Sequence, residues 1–232
     1  MRPDILKQLL DDRAAKRPVA LATNLKSGAQ TLLYLYGKQG AKDWPHEVAE
    51  AARSALIADK ATTVETAEGP VFVNIFNPPL RMIVVGAVHI TQALGPMAVL
   101  TGYEVQVIDP RRAFATEDRF PGLLLSNAWP DEAMAELKPD LRTAVVTLTH
   151  DPKLDDPALA GGLRSDAFYL GSLGSKKTHA ARLERLRRMG FSETDLARIH
   201  GPVGLPIGAK SPSEIAIAIM AQVTQSLRQP GP

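Results

Sequence analysis

The strongest constraint on this chain lies between Met82 and Asp109. Residues 82–85, Met-Ile-Val-Val, form an apolar run of strand length, and Gly86 follows. Residues 89–100 carry helical periodicity up to Gly102, and residues 103–108 read as a second strand ending at Asp109. A strand whose successive residues are all apolar is buried on both faces, as happens inside a parallel sheet. Two such strands joined by a helix make a βαβ unit. The alternation continues, with strands expected at 123–125, 143–149 and 167–170 and helices near 131–137, 157–164, 175–189 and 212–227. The fold class is therefore α/β, with residues 81–232 forming a Rossmann-like domain whose parallel sheet is covered on both faces.

The N-terminal third reads differently. Leu6, Leu9 and Leu10 share a helical face, and residues 19–22 and 31–36 read as strands around the turn-like Lys26-Ser27-Gly28. Pro45 suits a helix start, with Val48, Ala49, Ala52 and Leu56 at helical spacing, before strands at 62–65 and 71–76. Asn77-Pro78-Pro79 then breaks every pattern, because consecutive prolines neither continue a helix nor donate to a central strand. Residues 1–76 are expected to form a small α+β N-terminal domain.

Composition narrows the function classes. A net charge of +2 over 232 residues gives no basic field for nucleic acid. With no cysteine, the chain has no disulfide, thiolate metal ligand, cysteine nucleophile or persulfide of its own. Asp4 and Lys7 interrupt the first ten residues, no apolar run approaches a membrane span, and the cytoplasm is the expected compartment.

Three loops and a few histidines carry candidate chemistry. Gly86-Ala87-Val88-His89 occupies the turn where a dinucleotide fold places its glycine fingerprint, and Asp109 stands where the ribose-binding acid belongs. Val88 replaces the glycine that lets backbone approach a pyrophosphate, so NAD(P) binding is not expected. The alternative is that Gly86 only makes the turn and Asp109 only caps a strand end. Gly171-Ser172-Leu173-Gly174-Ser175-Lys176-Lys177 runs from strand to helix, with Ser175 as a natural N-cap. Lys176 and Lys177 oppose the helix dipole there unless an anion sits at that end, which makes the loop a phosphate seat or a solvated helix start. The loop 201–210 contains Gly208 and Lys210 and leads into Ser211-Pro212-Ser213-Glu214, a capping box on its own account. His89 and His150 both follow strands, with Asp151, Asp155 and Asp156 near His150, so metal ligation or a plain Asp-capped turn are both open. No Ser/His/Asp order, metalloprotease pair or Walker loop is present, and no catalytic residue is assigned.

Taken in order, several of these segments match one pattern: Gly86-Ala87-x-His89, Asp109-Pro110-Arg111, Phe114-Ala115, Arg119-Phe120-Pro121, Thr149-His150, Gly171-x-x-Gly174-Ser175, Gly204-Leu205-x-Ile207-Gly208-Ala209 and Pro212-x-Glu214-Ile215-Ala216. Together they resemble the xanthine dehydrogenase accessory factor (XdhC/CoxI) family over roughly residues 80–228. The resemblance implies an accessory factor more than an enzyme. Such a factor binds the molybdenum cofactor (molybdopterin) as cargo, protects it while a cysteine desulfurase supplies sulfur, and delivers it to an apo molybdenum hydroxylase such as xanthine dehydrogenase. Self-association is left open. The cofactor-binding candidates are Gly86, His89, Asp109, His150, Gly171, Gly174, Ser175, Lys176, Lys177, Gly208 and Lys210. The chain departs from the family's usual Gly-Ala-Gly-His at Val88 and lacks the Gly-Gly-Cys stretch of many members. The rival readings are an NAD(P)-dependent oxidoreductase and an interaction domain without a ligand.

Overall fold

The computed structural model describes residues 2–35 and 44–229, in two compact units that divide between Pro78 and Pro79.

The first unit contains α1 (Pro3–Ala14), β1 (Val19–Asn24), β2 (Gln30–Tyr34), α2 (His46–Ala58), β3 (Thr62–Val64) and β4 (Val71–Phe76). Its strands form an antiparallel sheet in the order β2-β1-β4-β3. Alternation sorts the strand residues. Ala20, Ala22, Leu33, Val71 and Val73 pack with Val48, Ala52 and Leu56 of α2, while Val19, Leu21 and Leu32 pack with Ile5 and Leu9 of α1. The buried face of α1 is thus Ile5, Leu9 and Asp12, and Leu6 and Leu10 of the expected Leu6-Leu9-Leu10 face are exposed. Asp12 decides this rotation: its buried carboxylate accepts from Gln8 and Tyr34 and pairs with Arg17, which turns that side of the helix inward. The expected end of β2 at Tyr36 lies outside the described residues.

The second unit contains β5 (Leu80–Val85), α3 (His89–Leu100), β6 (Tyr103–Ile108), β7 (Leu124–Ser126), α4 (Pro130–Leu137), β8 (Thr143–Thr147), α5 (Pro152–Leu163), β9 (Tyr169–Ser172), α6 (Lys176–Arg188), α7 (Glu193–Leu196), β10 (Ile199–His200) and α8 (Pro212–Arg228). All six strands are parallel, in the order β10-β9-β8-β5-β6-β7. Counted from β5 this is the 3-2-1-4-5-6 order of a doubly wound dinucleotide-type sheet. The unbroken apolar run of β5 has its reason here. Leu80, Met82 and Val84 face a core shared with α3 and α8, and Ile83 and Val85 face a second core containing α4, α5 and α6 residues.

Three details differ from the sequence reading. Helix α5 starts at Pro152, ahead of the expected residue 157, because Asp151 caps it by accepting from the Lys153 N–H and Pro152 occupies its first turn, where no donor is needed. The four-residue α7 and the two-residue β10 are too short to leave a periodic signal.

Candidate functional site

Strand order places the switch point between β5 and β8, and ligands of such sheets bind outside the carboxyl ends of the strands near that point. Gly86, Asp109, His150 and the β9–α6 turn all lie at that edge, since each follows or ends a parallel strand.

The β5–α3 turn is closed on itself. Gly86 has φ +117°, and a Cβ there would stand 2.8 Å from Thr149 Cγ2, so only glycine fits between the β5 and β8 loops. Thr91 Oγ1 donates back to the Gly86 carbonyl at 2.5 Å. Asp109, fully buried, accepts from the Ala87 N–H at 2.9 Å, the Arg111 N–H at 3.0 Å, and Arg111 Nε and Nη2 at 2.8 and 2.7 Å. Burial alone would raise its pKa, but these donors and the Arg111 charge hold the carboxyl below its ordinary value. With both oxygens so engaged, Asp109 fastens the β5–α3 turn to the end of β6. Val88 caps α3 with no side-chain hydrogen bond, and His89 is exposed at the first helical position.

At the end of β8, His150 sits in the left-handed region at φ 63° with its side chain exposed. Asp155 of α5 organises this turn. Its carboxylate accepts from Thr149 Oγ1 at 2.6 Å, the Thr149 N–H at 3.3 Å and the His150 N–H at 3.1 Å. Burial pushes the Asp155 pKa up. Asp156 is held instead by Arg185 Nε and Nη2, and Asp151 caps α5. Each acid near His150 thus has a structural partner, and among the described residues no group of three His, Asp or Glu side chains is placed to hold a metal.

The β9–α6 turn is built the other way. Ser175 caps α6, its hydroxyl accepting from the Thr178 N–H at 3.1 Å, and Lys176 and Lys177 are exposed in the first turn. Gly174 has φ +148°. Gly171 belongs to the packing instead: it is buried in β9, and a Cβ would meet Val203 Cγ2 at 2.6 Å and the Tyr169 ring at 2.7 Å. Packing alone therefore accounts for the glycine at this position. Gly208 and Lys210 lie on an exposed loop with open space over Gly208, and the Lys210 N–H donates to Glu214 in the capping box of α8.

Sequence reasoning missed Arg182 and placed Asp155 only among the acids near His150, not as the partner of Arg182. Arg182 has a side chain 2% exposed and lies 3.5 Å from Asp155 Oδ2, the two joining α6 to α5. Its signal was its position four residues before Leu186, on the stripe that α6 buries.

This geometry defines a doubly wound, nucleotide-type Rossmann domain with its connecting loops gathered at the carboxyl ends of the strands. The profile of the XdhC Rossmann domain matches residues 82–223, and the chain belongs to that family. It is 30% identical over 148 residues to the molybdenum cofactor insertion chaperone PaoD of Escherichia coli, covering 64% of this chain and 40% of PaoD. It is 27% identical over 218 residues to a probable xanthine dehydrogenase subunit of Bacillus subtilis, covering 90% of this chain and 62% of that protein. A crystal structure described as a xanthine dehydrogenase from Bacillus halodurans superposes with a TM-score of 0.69 at 25% identity, over 96% of this chain and 66% of the other. The chain thus spans less than two thirds of the length of these two sequence relatives.

Proposed function

We propose that this chain binds the molybdenum cofactor as cargo, protects it during sulfuration by a cysteine desulfurase, and hands it to an apo molybdenum hydroxylase of the xanthine dehydrogenase class. The observation that carries the reading is the pairing of family with edge geometry. A relative is named as a molybdenum cofactor insertion chaperone, and this chain's β9–α6 turn presents a capped helix N-terminus at the ligand edge of the sheet. The phosphate of molybdopterin suits such a terminus, whose first N–H groups have no partner within the helix. The pterin would lie along the edge toward His150 and His89, both exposed there. This chain contributes binding and shielding. Sulfur would reach the cofactor without a persulfide on this chain, which has no thiol to carry it.

The oxidoreductase reading loses its main support with Asp109, whose carboxylate is already committed to Arg111 and Ala87. The deciding experiment mixes purified chain, cofactor, desulfurase and an apo hydroxylase, and measures the active fraction of the hydroxylase. A clear increase with the chain present, together with a fluorescent oxidised pterin released from the loaded chain, is expected. Equal activation with and without the chain would remove the role, and tight NAD(H) binding by calorimetry would restore the rival.

A further inference from the structure

The guanidinium of Arg182 ends directly beneath the β9–α6 turn. Its Nη2 donates to the Leu173 carbonyl at 3.0 Å, and its Nη1 lies 3.8 Å from the point where a Cβ on Gly174 would stand. Nε and Nη1 are buried and have no hydrogen-bond partner. Buried donors are almost always satisfied, and a buried cation is costly unless paired and fully hydrogen-bonded. The pairing here is loose. Asp155 stands 3.5 Å away, beyond good hydrogen-bond range, and its oxygens are turned to Thr149 and His150. Asp156 is committed to Arg185, and burial followed by the nearby Arg182 charge keeps His179 toward its neutral form. The turn therefore joins two features that are independent in origin: a helix N-terminus with unspent backbone donors, and a buried arginine with two unspent side-chain donors, one of which, Nη1, lies beside the same glycine.

We infer that the β9–α6 turn is an oxyanion site of the phosphate-monoester class in which Arg182, beneath Gly174, supplies the charge that holds the ligand. Lys176 and Lys177 are solvated and contribute little. Gly174 matters because it puts no side chain over the guanidinium, and a glycine peptide can turn to expose Nη1 to an oxygen already seated on the helix N–H groups. The inference rests on the cargo reading only for the identity of the natural phosphate; the site itself is tested with simpler anions.

The test is a titration of the ¹⁵N-labelled chain with inorganic phosphate and with phenyl phosphate, followed by NMR. The Lys176 and Lys177 amides and the Arg182 Nε–H are expected to shift together with a single Kd. Arg182→Lys should weaken phosphate about tenfold to hundredfold, as loss of charge-assisted bonds does, while Lys176→Ala with Lys177→Ala weakens it less than about threefold. The wild-type Arg182 signal needs no variant to fold, so it decides the matter if Arg182→Lys is unstable. An Arg182 Nε–H that stays fixed at saturating phosphate overturns the site, as does a lysine double variant that loses as much affinity as Arg182→Lys. Loading with the molybdenum cofactor is scored separately. Phosphate binding through Arg182 without cofactor loading refutes the cargo reading and leaves the site standing, whereas cofactor loading with Arg182 unmoved refutes the site alone.

Discussion

The β5–α3 and β9–α6 turns lie at the same edge of one sheet, each carrying a strand into a helix of twelve or thirteen residues, yet they dispose of their polar groups in opposite ways. At the first, Asp109 takes the Ala87 N–H, Thr91 takes the Gly86 carbonyl, and Thr149 fills the space over Gly86. At the second, the side-chain cap serves one amide, two lysines stand in water, and a buried arginine below keeps two donors unspent. The position that binds pyrophosphate in a dinucleotide enzyme is here a structural rivet. In the proposed reading, charge recognition moves two strands along the sheet, from β5 to β9.

The largest effect expected from this contrast is on stability at the first turn. Asp109→Ala removes the acceptor for four donors and leaves the Ala87 N–H unpaired at the buried turn, while the half-exposed Arg111 turns to water, which together should cost about 2–4 kcal/mol in urea unfolding. The pH dependence follows in sign. The folded-state pKa of Asp109 lies below its unfolded value, so its contribution is full above about pH 4 and is lost as pH falls through the folded pKa. The wild type should lose stability below about pH 4 more steeply than Asp109→Ala. Parallel acid titrations of the two would sink the assignment of Asp109 as the fastener.

A smaller effect separates the two glycines. Gly86→Ala forces a Cβ into Thr149 at a left-handed φ of +117°, and about 1–3 kcal/mol of stability should disappear. Gly174→Ala meets Thr178 at 3.1 Å, a side chain on the helix it precedes, and thermal melts should show a smaller loss than at Gly86. Its larger effect should fall on phosphate affinity. Equal stability losses with unchanged phosphate affinity would erase the distinction between a closed and an open turn.

How much of this is readable from the sequence depends on range. The apolar run of β5 announces a strand buried on both faces, and Met82 and Ile83 do face separate cores. Ser175 and the Ser211–Glu214 box also announce themselves, because a cap is a contact between residues three apart. Asp109 is legible as a residue at the ligand edge but not as a saturated one, since one of its donors comes from Ala87, 22 positions earlier. Arg182 looks like one more cation on a basic helix. Its burial depends on Asp155 of α5 and on the Leu173 carbonyl, and no local pattern joins those three. Gly171 shows the same limit from the other side: the need for glycine there is set by Val203, which arrives from beyond β10 and leaves no local signal.

The smallest expected effect lies at the start of α6. Lys176 and Lys177 are exposed cations in the first turn of α6, where the helix dipole favours negative charge, and the helix carries no acid there to offset them. Replacing both by alanine removes that unfavourable interaction and inserts the best helix former, so α6 should gain roughly 0.3–1 kcal/mol at low salt, with the gain fading as salt is raised. At the first turn no such gain is available, because α3 begins with neither acid nor fixed cation. The measurement is a pair of thermal melts, at low and at high ionic strength, with and without saturating phosphate. In the absence of anion the double variant should melt slightly above the wild type, and phosphate should raise both melting temperatures by similar amounts, since the charge that holds it is Arg182. A double variant that melts lower than the wild type in every buffer would mean that the lysines are structural. A phosphate-induced rise that vanishes in the double variant would move the anion's charge partner from the buried arginine to the surface of the helix.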